Sequence, residues 1–325
     1  MSHLLKPLEI KNLKLKNRLV MPPLATEKSK EYGRISKELL DYYDEKSEGG
    51  HISLIIVEHA FVSEEGRASK GQMSIADDSI IDDLKKLANI IHSNGSKAVM
   101  QINHAGIKAN KENTGLDPVG PSLLEGENKE LSIEGIKDIV EKFKVAALRA
   151  KKAGFDGVEI HAAHGYLLSQ FFSPITNKRN DEYGGAVLSR IKIHLEVIKA
   201  VIDAVGKDYP VLIRFGASDY MDGGSTIEDG KVAAKEFQKA GVDILDISGG
   251  LCGAVVQGLD GQGYFAPLSE AIKDVVSIPV ILTGGITDAS VAEKLLKEEK
   301  ADLIGVGRAI LRDSTWAKKA IESLK

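Results

Sequence analysis

Apolar residues along this chain fall into two alternating patterns. Short continuous apolar runs are separated by longer stretches in which apolar positions recur at the three- and four-residue spacing of a helix face. The runs are Arg18-Leu19-Val20-Met21, Ile52 to Val57, Ala98 to Ile102, Val158-Glu159-Ile160, Val211 to Phe215, Ile244 to Ile247, Pro279 to Leu282 and Leu303 to Val306. Between them, helices are expected from Ser36 to Ser47, Asp78 to Asn94, Ser132 to Ala153, Ser189 to Val205 and Thr226 to Ala240, with a last one closing the chain. Ser36 and Ser132 are placed to cap, and Gly95 to stop, their helices.

Strands that are apolar on both faces and alternate with helices belong in a parallel sheet covered by helices. Eight such units predict an α/β fold, a closed (β/α)8 TIM barrel. An open doubly wound sheet is the competitor, but no G-x-G-x-x-G follows the first strand. Leu4 to Leu15 alternates apolar and polar residues around Lys11-Asn12, which predicts an N-terminal β-hairpin plugging the amino-terminal mouth of the barrel. Residues 105–131 and 171–188 read as long loops after strands 3 and 4, and loops of that length are commonly functional. Residues 1–325 are expected to form one domain, a size the barrel commonly reaches.

Composition narrows the function. A net charge of −4 with basic and acidic residues interleaved gives no electrostatic case for nucleic acid. The single cysteine, Cys252, excludes an intrachain disulfide or a cysteine-held iron–sulfur cluster in this chain and suits a reducing compartment. Met1 to Lys16 lacks the apolar core of a signal peptide, and no run is long enough to span a bilayer. A cytoplasmic protein without membrane contact is the expectation.

Candidate chemistry concentrates in His161-Ala162-Ala163-His164-Gly165-Tyr166, at the carboxyl end of the Val158 strand, where a barrel of this kind places its active site. Alternation puts Glu159 and His161 on one face and Val158 and Ile160 on the other. As a metal site the histidine pair lacks an H-E-x-x-H pattern and a cysteine cluster, so no metal is expected. Structural histidines and ligand-binding ones both fit the spacing. Arg214 is a charge inside an apolar strand, a placement that calls for a partner. The turns Thr283-Gly284-Gly285-Ile286 and Gly305-Val306-Gly307-Arg308 end the last two strands, where barrels commonly hold a phosphate; tight turns alone would also account for the glycines. FMN would fit these groups, with Gln101 offering donor and acceptor to a pyrimidine-like edge and Arg214 offsetting charge on a reduced ring.

Taken together, these segments resemble the Old Yellow Enzyme family of FMN-dependent ene-reductases, the NADH:flavin oxidoreductases. The resemblance covers nearly the whole chain. It is carried by Lys16 through Leu24, Gln101 through Gly106, Glu159 through Leu168, and the run from Phe172-Ser173-Pro174 through Asn177, Arg179, Asp181, Tyr183, Gly184 and Gly185. It implies an FMN-containing barrel that transfers hydride from NAD(P)H via flavin to the C=C bond of an activated alkene, such as an α,β-unsaturated carbonyl. By matching positions, Pro22, Pro23, Leu24, Ala25 and His59 would line the flavin, and Gln101 and Arg214 would touch its ring. Gly284, Gly285, Gly307 and Arg308 would hold its phosphate. His161 and His164 match the pair that binds the substrate oxygen, and Tyr166 matches the proton donor.

Some positions depart from the family pattern. Ala25 stands where relatives carry threonine or cysteine, and His59 stands where they carry a small residue. Neither the arginine-bearing tail nor the added iron–sulfur and dinucleotide domains of some relatives are expected. The alternatives are an FMN-binding redox protein or an NAD(P)H:acceptor diaphorase without alkene specificity. A Schiff-base aldolase is demoted, because no predicted strand ends in the lysine it needs. The oligomeric state stays open between monomer and homo-oligomer.

Overall fold

A computed structural model describes residues 2–124 and 128–325. Its strands are β1 (Leu8–Ile10), β2 (Leu13–Leu15), β3 (Leu19–Met21), β4 (Leu54–Phe61), β5 (Lys97–Asn103), β6 (Val119–Gly120), β7 (Lys129–Glu130), β8 (Gly157–Ala162), β9 (Val211–Gly216), β10 (Ile244–Ser248), β11 (Val280–Thr283) and β12 (Leu303–Gly305). Eight of these close into the expected barrel, in the order β3-β4-β5-β8-β9-β10-β11-β12 and back to β3. Every barrel pair is parallel.

Strand alternation sorts side chains into two cores. Val20, Leu54, Ile56, Val99, Leu212, Ile244, Ile281 and Leu303 form the barrel's interior packing. Leu13 and Leu15 of the antiparallel β1–β2 hairpin join that cluster, with Leu8 and Ile10 against it, so the hairpin seals the barrel's amino-terminal end as expected. Alternate residues such as Val158, Ile160, Ile213 and Leu245 face outward into a second, larger core shared with the helices. The barrel's lower part is therefore filled, and a ligand can enter only at the carboxyl ends of the strands.

Capping follows the sequence. Ser36 Oγ accepts from Leu39 N, Ser132 Oγ from Gly135 N, and Thr226 forms a reciprocal capping box with Asp229. Three findings modify the expected layout. The loop 105–131 contains a short helix, Lys111–Thr114, and the small β6–β7 pair. The excursion after strand 4 opens with a helix, Leu167–Phe172, which starts before residue 171 and is fully buried. The helix Ala266–Lys273 escaped location because the stretch before it is glycine-rich and aperiodic. Among the described residues no helix is long and apolar enough to cross a membrane.

Candidate active site

At the carboxyl ends of the strands lies a cavity of about 570 Å³. It is built on a polar layer that replaces the apolar packing below. Register places Gln101 beside Glu159, and His161, Arg214 and Asp246 in one row across β8, β9 and β10. Gln101 Nε2 donates to Glu159 Oε1 over 2.8 Å. Burial, reinforced by Asp246, pushes the Glu159 carboxyl well above its ordinary range, against the pull of Arg214 and Gln101. Asp246 is pushed up to about 6 by burial, against the pull of Arg214. Arg214 approaches it to 3.4 Å. Even so, Nε and Nη1 of Arg214, Glu159 Oε2 and Thr283 Oγ1 are buried without hydrogen-bond partners among the described residues. Unsatisfied buried groups on one rim call for an explanation, and a polar ligand above them supplies one.

His161 projects from β8 on the same face as Glu159. Its Nδ1 accepts the backbone N–H of Ala163 over 3.2 Å, which leaves the ring proton on Nε2. His164 sits just beyond the strand with φ of 59°, a left-handed conformation unusual for a residue with a side chain. It is held there from three sides. His164 N donates to Gly249 O over 3.1 Å, Lys108 Nζ donates to His164 O over 2.8 Å, and its Nε2 lies 2.7 Å from Ser248 Oγ. The two imidazoles meet edge to face, their centroids 5.1 Å apart. Burial, and then neighbouring positive groups, hold both well below the usual histidine range, so both are neutral at physiological pH. Tyr166 occupies the position just before the helix Leu167–Phe172, with its ring centroid 5.1 Å from that of His161. Burial and then Glu27 raise its phenol, which therefore stays protonated.

The expected site residues gather around this one cavity with a single exception. Pro22, Pro23, Leu24, Ala25, His59, Gln101, Arg214, Gly285, Gly307 and Arg308 line it with His161, His164 and Tyr166. Gly284 does not line it. At φ of 158° that residue has its carbonyl turned to accept from Gly263 N, and it backs the cavity wall through Tyr264. Cys252 is half-buried and does not line the cavity, its thiol pushed up to about 11 by burial. His59 enters through a bulge. Leu54 and Ile56 point inward on β4, so simple alternation would send Glu58 into the mouth. The register against β5 shifts between Val57 and Ala60, and His59 faces the cavity instead. Glu58 turns outward and accepts from Thr26 N (2.9 Å) and Thr26 Oγ1 (2.7 Å).

Sequence reasoning missed a second wall. Ala254, Val255, Leu259 and Tyr264, from the aperiodic segment after β10, close one side, and Arg312 joins Arg308 one helical turn on. Tyr264 Oη donates to Ala254 O over 2.6 Å and receives Arg308 Nη2 at 3.3 Å. Arg312 was legible as the i,i+4 partner of Arg308; the segment 254–264 carried no signal. Among the described residues no group of three or more His, Cys, Asp or Glu is gathered to hold a metal.

Comparison with known proteins matches the chain to the NADH:flavin oxidoreductase / NADH oxidase family over residues 3–325. It is 43% identical over 324 residues to an NADH oxidase of Thermoanaerobacter brockii, covering 96% of this chain and 50% of that protein. It is 40% identical over 310 residues to an NADPH dehydrogenase of Clostridium acetobutylicum, covering 94% and 90%. The chain thus spans about half the length of the first of these curated relatives, and nearly all of the second. Among solved structures, the Old Yellow Enzyme homologue from Zymomonas mobilis superposes with a TM-score of 0.87 at 26% identity, covering 99% of this chain and 93% of that one.

Proposed function

Because the chain belongs to the NADH:flavin oxidoreductase / NADH oxidase family, we propose that it is an FMN-dependent oxidoreductase that passes hydride from NAD(P)H to the C=C bond of an activated alkene, such as an α,β-unsaturated carbonyl. One observation carries the reading: neutral imidazoles at His161 and His164 and a protonated phenol at Tyr166 line one cavity together with the guanidinium of Arg214.

The residues present fit FMN. The unpartnered guanidinium atoms of Arg214 and Thr283 Oγ1 offer polar contacts at the barrel rim. Gly305 and Gly307 keep the adjoining floor low, since a Cβ at Gly305 would strike Thr283 Oγ1 and one at Gly307 would press on Leu24 and Pro22. In this reading Pro22, Pro23, Leu24 and Ala25 would flank the isoalloxazine, and Gln101 and Arg214 would meet its polar edge. Gly285, Gly307 and Arg308 would hold the phosphate. Bound FMN would supply a two-electron carrier between NAD(P)H and the alkene.

The protein's own part is electrostatic and protonic. As hydride reaches the substrate's β-carbon, negative charge develops on the carbonyl oxygen, and His161 Nε2–H and the imidazole of His164 donate to it. Neutral donors suit this task because they hold the oxygen without first protonating it. Tyr166 Oη gives its proton to the α-carbon, which completes addition of H–H across the double bond. The phenolate then recovers a proton from water.

Anaerobic stopped-flow spectroscopy of FMN-loaded protein tests the reading. NADH or NADPH should bleach the flavin absorbance, and an enone should restore it with stoichiometric saturated product. Flavin that is reoxidised by oxygen or quinone but leaves every enone and nitroalkene unchanged would instead support a diaphorase.

A further inference from the structure

A third imidazole faces the cavity, and its tautomer is fixed by two amides. Gln72 Nε2 lies 2.9 Å from His59 Nδ1, and Asn103 Nδ2 lies 3.2 Å from the same atom. The Gln72 amide cannot be turned round, because its Oε1 accepts the backbone N–H of Ala68 over 2.7 Å, while its Nε2 also donates to His59 O over 3.3 Å. With a donor amide on Nδ1, that nitrogen must accept, and the ring proton sits on Nε2. Among the described residues His59 Nε2 has no hydrogen-bond partner, and the residue lines the cavity.

The resemblance set this residue along the flavin, and its ring contacts join it to the acceptor-binding wall as well. It stacks on Tyr166 with centroids 5.4 Å apart at 25°, and lies 6.1 Å from His161 at 76°. His161 is the middle member of the row, in ring contact with both His164 and His59. A single carbonyl oxygen has two lone pairs and is satisfied by His161 and His164. A third fixed donor beside Tyr166 is left for a second oxygen.

Resting on the reading of this cavity as an alkene-reductase site, we infer that His59 Nε2–H is a specificity-determining donor for activating groups with two oxygens, such as a carboxylate or nitro group. The bulge in β4 gives this donor its aim, and the interlocked loops around it give it rigidity. Glu27 accepts Ser69 Oγ (2.6 Å) and Gly71 N (3.0 Å), and Ser29 N donates to Gly71 O, so the segment bearing Gln72 is tied to the loop after β3.

The test titrates the protein loaded with oxidised FMN, with no NAD(P)H present so that nothing is reduced, using phenol for one oxygen and benzoate and nitrobenzene for two, and follows the shift in flavin absorbance. His59→Ala should weaken benzoate and nitrobenzene about 10-fold, the loss of one buried hydrogen bond, and phenol less than about 2-fold. His59→Gln, which keeps an N–H donor, should recover part of the loss. Retained flavin and unchanged phenol affinity show that the variants are folded. Equal weakening of all three ligands, or no change in any, overturns the assignment of His59. If the wild-type protein binds none of the three, the alkene-reductase reading of the cavity falls as well; if it binds all three and only the His59 effect is absent, that reading stands.

Discussion

Arg214 and Asp246 lie in register on adjacent parallel strands and approach to 3.4 Å, yet neither completes a hydrogen bond with the other. A guanidinium buried to this extent and held just short of its carboxylate keeps donors free for a third party. Replacing Arg214 with Met should therefore lower FMN affinity and shift the flavin midpoint potential negative, by ~30 mV or more, because a positive charge near a reduced ring stabilises it. Spectroelectrochemistry reads the potential. An unchanged potential would place Arg214 away from the ring.

Tyr166 is raised above the ordinary phenol range by burial and the nearby Glu27. Its proton is thus present throughout the neutral range. Tyr166→Phe should slow alkene reduction by about 100-fold, a typical general-acid contribution, and leave flavin reduction by NAD(P)H nearly intact. In the wild-type protein, alkene reduction should fall only as pH rises past the phenol's pKa. Stopped-flow traces of the two half-reactions, taken separately, decide it; parallel loss in both would assign Tyr166 to ring binding.

The barrel was legible because its strands are apolar on both faces and its helices carry clear caps, such as Ser36 and Ser132. The wall of His161, His164 and Tyr166 was legible because short spacing at one strand end leaves the side chains few other places to go. The aim of His59 was not legible. Alternation from Leu54 assigns the inward place to Glu58, and only the register shift against β5, a tertiary feature, reverses it. The wall at Tyr264 escaped for another reason: its position depends on contacts with Ala254 and Arg308, distant in sequence, and on no local period. Gly284 read like its neighbour Gly285, and only the path of the turn separates them.

His161 and His164 are held neutral by burial and surrounding positive charge. Both pKa values lie below the ordinary 6.5, so lowering the pH through that value does not charge them. Phenol affinity should accordingly stay within about 2-fold between roughly pH 8 and pH 5.5. A double replacement with Ala should weaken phenol by about 100-fold, since two neutral hydrogen bonds are lost. Absorbance titrations across pH check both. A transition centred near pH 6.5 would mean that an exposed imidazole governs binding.

Glu58 offers a test that needs no ligand. Its carboxyl is buried behind the loop after β3 and is pushed up to about 7, chiefly by desolvation, with the Thr26 hydrogen bonds opposing the rise. The native state thus holds this proton more tightly than the unfolded chain does. Stability from it is complete below the unfolded value near 4.5 and is lost as pH rises through about 7, with at most about 3 kcal/mol at stake. Glu58→Gln carries no charge at any pH, and its amide can still accept from Thr26. The variant should therefore gain stability relative to wild type as pH rises from about 5 to about 8. Urea unfolding at both pH values reads the difference. A gap between wild type and variant that does not change with pH would show that Glu58 is ionised throughout, with the Thr26 bonds outweighing burial.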